Sequence, residues 1–153
     1  MNEIQLEVVN DANFGYRLVT RKPIPKNTIF FDFKDHKTVG EPNYKTIQVN
    51  QSEHVEDFGV LAFMNHNCEP NVIIDSKNYH CIASKDIEAD EELTFFYPST
   101  EWAMAQEFQC KCSSEKCIGL VSGASTLPIN VLSRYYINQH IIEMINESLK
   151  KSH

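Results

Sequence analysis

The chain has 153 residues, of which 42% are hydrophobic and 23% charged, with five cysteines and a formal net charge of −7. That length and balance fit one globular domain with a single core, and no run of about 18 apolar residues is present to cross a bilayer as a helix. The negative charge argues against a phosphate-backbone partner, so no direct nucleic-acid binding is expected; it suits a basic protein or peptide, and it equally serves plain solubility.

The opening Met1-Asn2-Glu3-Ile4-Gln5 lacks the basic start and apolar stretch of a signal peptide, so an intracellular setting is expected. Apolar and polar residues alternate over 4–9, which predicts a half-buried strand. A turn follows over 10–15, where Gly15 is free to take a positive φ or to admit a ligand close to the backbone. A second strand is predicted over 16–20. The two prolines of Pro23-Ile24-Pro25-Lys26-Asn27 exclude helix and give a tight connection to a third strand over 28–33, in which Phe30 and Phe31 point to opposite, covered faces. Residues 34–43 read as polar and irregular, 45–50 as extended, and 56–63 as a brief helix. The β-branched and aromatic residues of 71–75 and 79–84 predict a hairpin around Ser76-Lys77-Asn78. The last strand, 92–97, is stopped by Pro98. Thr100 reads as the cap of a short helix carrying Trp102 and Met104. Beyond Gly119 and Gly123, one long helix is predicted over 128–149, with Val131, Tyr135, Ile142, Ile145 and Leu149 at helical spacing and Ile137, Ile141 and Met144 beside them. The simplest reading of that stripe is a packing face; the sharper one is a dimer or partner-binding face.

Three cysteines, Cys110, Cys112 and Cys117, crowd one short segment. In a chain with no secretory signal, such crowding reads as metal binding before a disulfide framework. Thiolate sulfur is the favoured ligand of structural zinc, which takes four ligands tetrahedrally. The fourth is Cys68 or Cys81. Cys81 lies in the apolar strand segment Tyr79-His80-Cys81-Ile82-Ala83, where a cysteine is usually a small buried hydrophobe. Cys68 lies in a polar turn before Pro70 that can present its side chain, and is preferred.

Three blocks together resemble the SET-domain protein lysine methyltransferases with their post-SET zinc segment. Phe63-Met64-Asn65-His66-Asn67-Cys68-Glu69-Pro70-Asn71 is similar to the family's Phe-(Ile/Met)-Asn-His-Ser-Cys-x-Pro-Asn. Asp90-Glu91-Glu92-Leu93-Thr94-Phe95-Phe96-Tyr97 resembles Gly-Glu-Glu-Leu-Thr-Phe-Asp-Tyr. The run from Cys110 through Cys112 and Cys117 to Gly119 matches the post-SET Cys-x-Cys-x4-Cys-x-Gly. A looser block, Phe14-Gly15-Tyr16-Arg17-Leu18 followed by Lys22-Pro23-Ile24-Pro25-Lys26-Asn27, resembles the family's first glycine turn and strand.

The resemblance implies a mainly β fold with some α: small sheets, a knot-like crossing of the Asn65 segment with the strand ending at Tyr97, a post-SET zinc segment and a C-terminal helix. On that division, 1–107 is the SET domain, 108–124 the zinc segment and 125–153 a helix packed on the domain. S-adenosylmethionine and one structural zinc are the implied cofactors. By analogy, Phe14, Gly15, Tyr16, Asn65, His66 and Tyr97 bind S-adenosylmethionine; Tyr97 is also the catalytic tyrosine; Phe33, Phe95 and Tyr97 line the channel for the substrate lysine; and Cys68, Cys110, Cys112 and Cys117 hold the zinc. The implied reaction is methylation of a lysine in a basic protein or peptide, a histone tail being one such substrate. The other implied reading is a non-catalytic, zinc-stapled module that binds a basic peptide. Methyl transfer from a sulfonium to an amine needs alignment and oxygen acceptors around the methyl, which a tyrosine hydroxyl and backbone carbonyls supply. It also needs a neutral amine, and an aromatic channel beside a sulfonium lowers the lysine pKa. For the adjacent Phe95 and Phe96, strand alternation makes one a channel wall and the other plain core. The chain departs from the family pattern at Asn13 for glycine, Phe33 for tyrosine, Ala62 for arginine and Phe96 for aspartate.

Overall fold

The computed structural model describes residues 4–13, 15–56 and 58–151. The first hairpin pairs β1 (Leu6–Asp11) with β2 (Gly15–Thr20), from Leu6 opposite Thr20 to Asp11 opposite Gly15. Its turn is closed by the Asp11 carboxylate accepting the Asn13 N–H at 2.8 Å, and Gly15 adopts φ +76°, a conformation that costs glycine little. Leu18, Val19 and Thr20 are all buried, because the far end of β2 is covered on both faces. The carbonyl of Leu18 accepts the N–H of Leu93, which fastens this hairpin to the later motif segment.

A three-stranded antiparallel sheet follows in the order β3 (Ile29–Asp32), β9 (His80–Ala83), β8 (Val72–Asp75). Val72, Ile74, Cys81 and Ala83 point inward and are fully buried, while Ile73 and Ile82 are only partly covered, the period-two pattern of a sheet with one core face. Cys81 therefore serves as core. A second three-stranded sheet pairs β4 (Lys37–Val39), β6 (His54–Glu56) and β5 (Ile47–Gln48). The first of these strands falls inside the stretch expected to be irregular. The brief helix expected over 56–63 is a 3₁₀ turn, Gly59–Phe63.

The element that builds the site is a two-residue parallel pair, β7 (Asn65–His66) with β10 (Thr94–Phe95), in which Asn65 faces Thr94 and His66 faces Phe95. Buried Asn71 locks it: its side-chain oxygen accepts the Thr94 N–H at 2.9 Å, and its amide nitrogen donates to the Glu92 carbonyl at 2.9 Å. A 3₁₀ turn, Tyr97–Ser99, follows, and no helix starts at Thr100. Thr100 is instead wholly buried, with its hydroxyl turned to Glu101. Next come β11 (Phe108–Gln109) and β12 (Leu120–Val121), an antiparallel pair that closes the cysteine loop.

The long C-terminal helix divides in two. α1 (Ile129–Leu132) is a single turn, and α2 (Gln139–Lys151) starts only after an irregular passage. Two tertiary contacts break it. Tyr135 stacks on Phe96 with ring centroids 3.6 Å apart and planes 5° from parallel. Asn138, 2% exposed, spends its side chain on the core: the amide nitrogen donates to the carbonyls of Ile74 and Ser99, and its oxygen accepts the Ser76 N–H. The expected apolar stripe is rearranged accordingly. Ile141 is buried, whereas Ile142 and Leu149 are exposed.

Among the described residues three buried clusters result, one of them gathering Cys68, Cys110 and Val121. The main core gathers Leu18, Ile24, Phe33, Val55, Ile74, Leu93, Phe95 and their neighbours; a smaller one joins Phe96 to Ala124, Leu132 and Ile141. Phe95 and Phe96 thus face opposite ways, as alternation requires. Among the described residues no helix is long and apolar enough to cross a membrane.

Candidate active site

The parallel pair sets residues 65–68 beside residues 94–97, and their side chains interlock. The Asn65 amide nitrogen donates to the Tyr16 carbonyl at 2.9 Å and to a Glu92 carboxylate oxygen at 3.1 Å. The His66 ring accepts the Tyr97 backbone N–H at Nδ1, 3.1 Å away, so its proton sits on Nε2, 3.3 Å from the Cys68 sulfur. Burial lowers the His66 pKa to about 4, and the ring is neutral at pH 7. The Tyr97 hydroxyl donates to the Met64 carbonyl at 2.8 Å. Burial, reinforced by the charges of Glu101 and Glu92, raises its pKa well above the ordinary tyrosine value, so the phenol keeps its proton.

Two cavities meet at Tyr97. The smaller, about 210 Å³, is walled by Phe58, Leu61, Met64, Phe95, Tyr97 and Glu101. The larger, about 700 Å³, is lined by Asn13, Arg17, Asn65, His66, Glu92 and Tyr97, among others. Tyr97 and Phe108 line both. Aromatic and aliphatic side chains make much of the smaller wall, together with Asn43, Lys45, Thr46, Gln106 and Glu107; amide, charged and imidazole side chains make much of the larger one.

The expected site residues divide on this geometry. Asn65, His66, Phe95 and Tyr97 come together at the junction. Phe33 does not line either cavity: it is 1% exposed and packs in the main core against Phe58 and edge-on to Tyr79. Tyr16 is 56% exposed with its ring against Phe63, and only its carbonyl reaches Asn65. Gly15 sets the turn and is not among the residues lining the cavities. Phe14 lies outside the described residues. The same hairpin contributes Asn13 and Arg17 to the larger cavity, two residues that no sequence motif assigns to a ligand. The Arg17 Nε is buried without a hydrogen-bond partner, and its guanidinium reaches Asp11 only at 4.0 Å. A buried donor left unpaired in a cavity wall is costly, and an anionic group of a bound molecule would satisfy it. Glu101 is the other addition. No local pattern marks it, because its character comes from burial alone.

The four cysteines Cys68, Cys110, Cys112 and Cys117 converge, with all sulfurs within 4.8 Å of one another. Tetrahedral zinc–sulfur bonds of about 2.3 Å separate the sulfurs by about 3.8 Å, and Cys68 and Cys110 stand 3.8 Å apart. The Ile118 N–H donates to the Cys68 sulfur at 3.3 Å, so this sulfur receives two donors, one from backbone and one from His66. Burial raises the Cys68 thiol, and raises Cys110 to about 11. At Cys112 burial also acts upward, but backbone N–H groups, led by that of Ser114, carry the thiol down to about 7. A bound cation would deprotonate all four. The donor set and its spacing fit a soft tetrahedral metal ion, and Cys81, buried in the main core, is outside it.

The wider comparison is consistent with this geometry. A family model described as SET domain matches residues 15–98. The chain is 33% identical over 124 residues to Methyltransferase flvH of Aspergillus flavus, covering 80% of this chain and 70% of that protein. It is 38% identical over 71 residues to a histone-lysine N-methyltransferase, H3 lysine-4 specific, of Emericella nidulans, covering 42% of this chain and 6% of that one. Among solved structures, KRYPTONITE in complex with mCHH DNA, H3(1-15) peptide and SAH superposes with a TM-score of 0.58 at 21% identity, over 76% of this chain and 29% of that chain. The methyltransferase domain of human histone-lysine N-methyltransferase SETMAR gives 0.59 at 19% identity, over 78% and 58%. These structural likenesses establish the shared fold.

Proposed function

This chain belongs to the SET-domain family of protein lysine methyltransferases, and we propose that it transfers methyl groups from S-adenosylmethionine to a lysine of a basic protein or peptide. The observation that carries the reading is that two cavities, one walled by Phe58, Leu61, Met64 and Phe95 among others and one by Asn13, Arg17, Asn65 and His66 among others, share Tyr97 as a wall. When bound, S-adenosylmethionine supplies an electrophilic methyl on a sulfonium centre. Asn13, Arg17, Asn65 and His66 would hold it, with Arg17 as the natural partner of its carboxylate. The narrow cavity would admit the lysine stem between Phe95, Leu61 and Met64, where its aliphatic carbons lose water at little cost. Tyr97, protonated and fixed to the Met64 carbonyl, would fix the angle between donor and acceptor.

The four thiolates would hold one zinc, bracing the wall that carries Phe108 against the larger cavity. On this reading 1–107 is the catalytic domain, 108–124 the zinc segment and 125–153 the packed C-terminal piece. The setting is intracellular, and the net charge favours a basic partner such as a histone tail, in keeping with the histone-lysine activity named for the Emericella nidulans relative.

Calorimetry with S-adenosylmethionine and labelled-methyl transfer to mixed histones and cell lysate test this directly. Saturable binding and transfer are expected. Tyr97→Phe should lower kcat by about 10²-fold or more while leaving cofactor affinity near that of the parent; an unchanged rate would remove Tyr97 from its role. Failure of both binding and transfer would leave a zinc-held module that binds a basic peptide without modifying it.

A further inference from the structure

Glu101 is an anomaly in the wall of the narrow cavity. It is 7% exposed, and several of its companions there, Phe58, Leu61, Met64 and Phe95, are apolar. It accepts two hydrogen bonds, from the Gln48 N–H at 3.0 Å and the Thr100 hydroxyl at 2.6 Å, and both go to Oε2. That oxygen does the structural work, clamping β5 to the turn after Tyr97, with Gln48 reciprocating through its side-chain oxygen to the Trp102 N–H. A glutamine would serve that clamp as well. Burying a carboxylate costs far more than burying an amide, so the charge calls for a use that the clamp does not supply. Oε1 receives no donor from the described residues and belongs to a side chain that lines the cavity.

We propose that Glu101 Oε1 is the proton acceptor for the substrate amine. The inference rests on the methyltransferase reading. The incoming side chain arrives as an ammonium, whose charge and N–H groups complement a buried carboxylate oxygen. One N–H bond breaks and an O–H bond forms at Oε1. The freed nitrogen lone pair then forms the N–C bond to the methyl as the C–S bond breaks, with that electron pair passing to sulfur. The product leaves as a methylammonium, and Glu101 afterwards releases its proton to water. Burial raises the Glu101 pKa to about 7, against the two hydrogen bonds that lower it, so the carboxyl exchanges protons near neutrality. The titratable groups around it do not compete. Tyr97 stays protonated, and His140, neutral through burial, binds the Thr100 carbonyl through Nε2. His54 is likewise lowered by burial, and Lys45 and Glu107 complete the charged groups of the cavity wall.

The test compares parent and Glu101→Gln, a substitution that preserves shape and clamp, in two assays. In labelled-methyl transfer to mixed histones, the parent's kcat/KM should level off above about neutrality. The variant should be lower by about 10²-fold there and climb about tenfold per pH unit towards the free lysine pKa of about 10.4. Its cofactor affinity should match the parent's, as should its melting temperature at pH 5, where the parent's carboxyl is itself uncharged. A variant with the parent's profile overturns the proposal. In the second assay, the glutamate carboxyl ¹³C resonances of the parent, loaded with S-adenosylmethionine, are titrated with n-butylamine. A shift of one slow-exchanging carboxyl that is absent from the variant supports the acceptor role, and no such shift overturns it. If histones accept no methyl yet the amine still moves the Glu101 resonance, the methyltransferase reading fails while the cation site stands.

Discussion

The strands that end at Phe95 and the segment that begins at Phe96 are held together by different physics. The first region is a continuous apolar core in which Leu18, Ile24, Val55, Ile74 and Leu93 are excluded from water. The second has few large buried side chains and relies on pointwise fasteners: four convergent thiols, the Phe96–Tyr135 stack, the Tyr135 hydroxyl on the Cys68 carbonyl at 2.8 Å, and the Asn138 side chain. The junction between the two is Tyr97. One region therefore supplies the floor of the narrow cavity by burial, while the other supplies the outer wall through fasteners that can be removed singly.

Removing the zinc proposed for the four thiols should separate the regions most sharply. Structural zinc–thiolate sites contribute on the order of 10 kcal/mol, so chelation or Cys110→Ser should abolish amide-exchange protection over about 104–121 while the β3–β9–β8 sheet keeps its own. Uniform loss of protection would mean that the two regions fold as one unit. A smaller break is Asn138→Ala. It strands the Ser76 N–H and the Ile74 carbonyl in a buried setting, while the Ser99 carbonyl keeps the Asn138 backbone N–H, and should cost about 2–4 kcal/mol in denaturant unfolding; a cost below about 1 kcal/mol would show that the C-terminal piece does not depend on this fastener. The smallest effect is at the seam itself. The Glu101 pKa is raised in the folded state to about 7 from the ordinary value of 4.5, so between those values the folded protein holds a proton that the unfolded chain has lost. Its contribution to stability is complete below about pH 4.5 and is lost as pH rises to 7. The parent should accordingly lose about 2–3 kcal/mol relative to Glu101→Gln between pH 5 and 8, measured as diverging melting temperatures. Parallel curves would mean that Glu101 ionises as freely folded as unfolded.

The first region was the more legible one in the sequence. The strand over 4–9 announces itself by alternation and those over 71–75 and 79–84 by β-branched and aromatic residues, and the apolar run around Cys81 set that residue aside as core and left Cys68 as the preferred fourth ligand. The two-residue strands Asn65–His66, Phe108–Gln109 and Leu120–Val121 have no local signature, because they exist only through partners far along the chain. The helix expected over 128–149 had the right period, but Tyr135 and Asn138 gain more from Phe96 and the buried carbonyls than from continuing the helix. Asn65, Tyr97 and the cysteines were readable from motif; Arg17, Glu101 and Asn138 were not, since each matters through what surrounds it. Phe33 shows the converse: an aromatic residue near a motif gives no sign of whether it walls a cavity or fills a core. The aspartate expected at position 96 is a phenylalanine with a structural purpose, the stacking platform for Tyr135.

The parallel pairing of Asn65 and His66 with Thr94 and Phe95 also bears on how the molecule comes into being. Its partners lie about thirty residues apart, so the chain must close a long loop before this contact returns any stabilisation. The hairpins on either side, β1–β2 and β8–β9, are local and can form early. Return of catalytic competence after dilution from denaturant should lag behind recovery of bulk strand structure, and the interval between the two would time the moment at which the distant segments find each other.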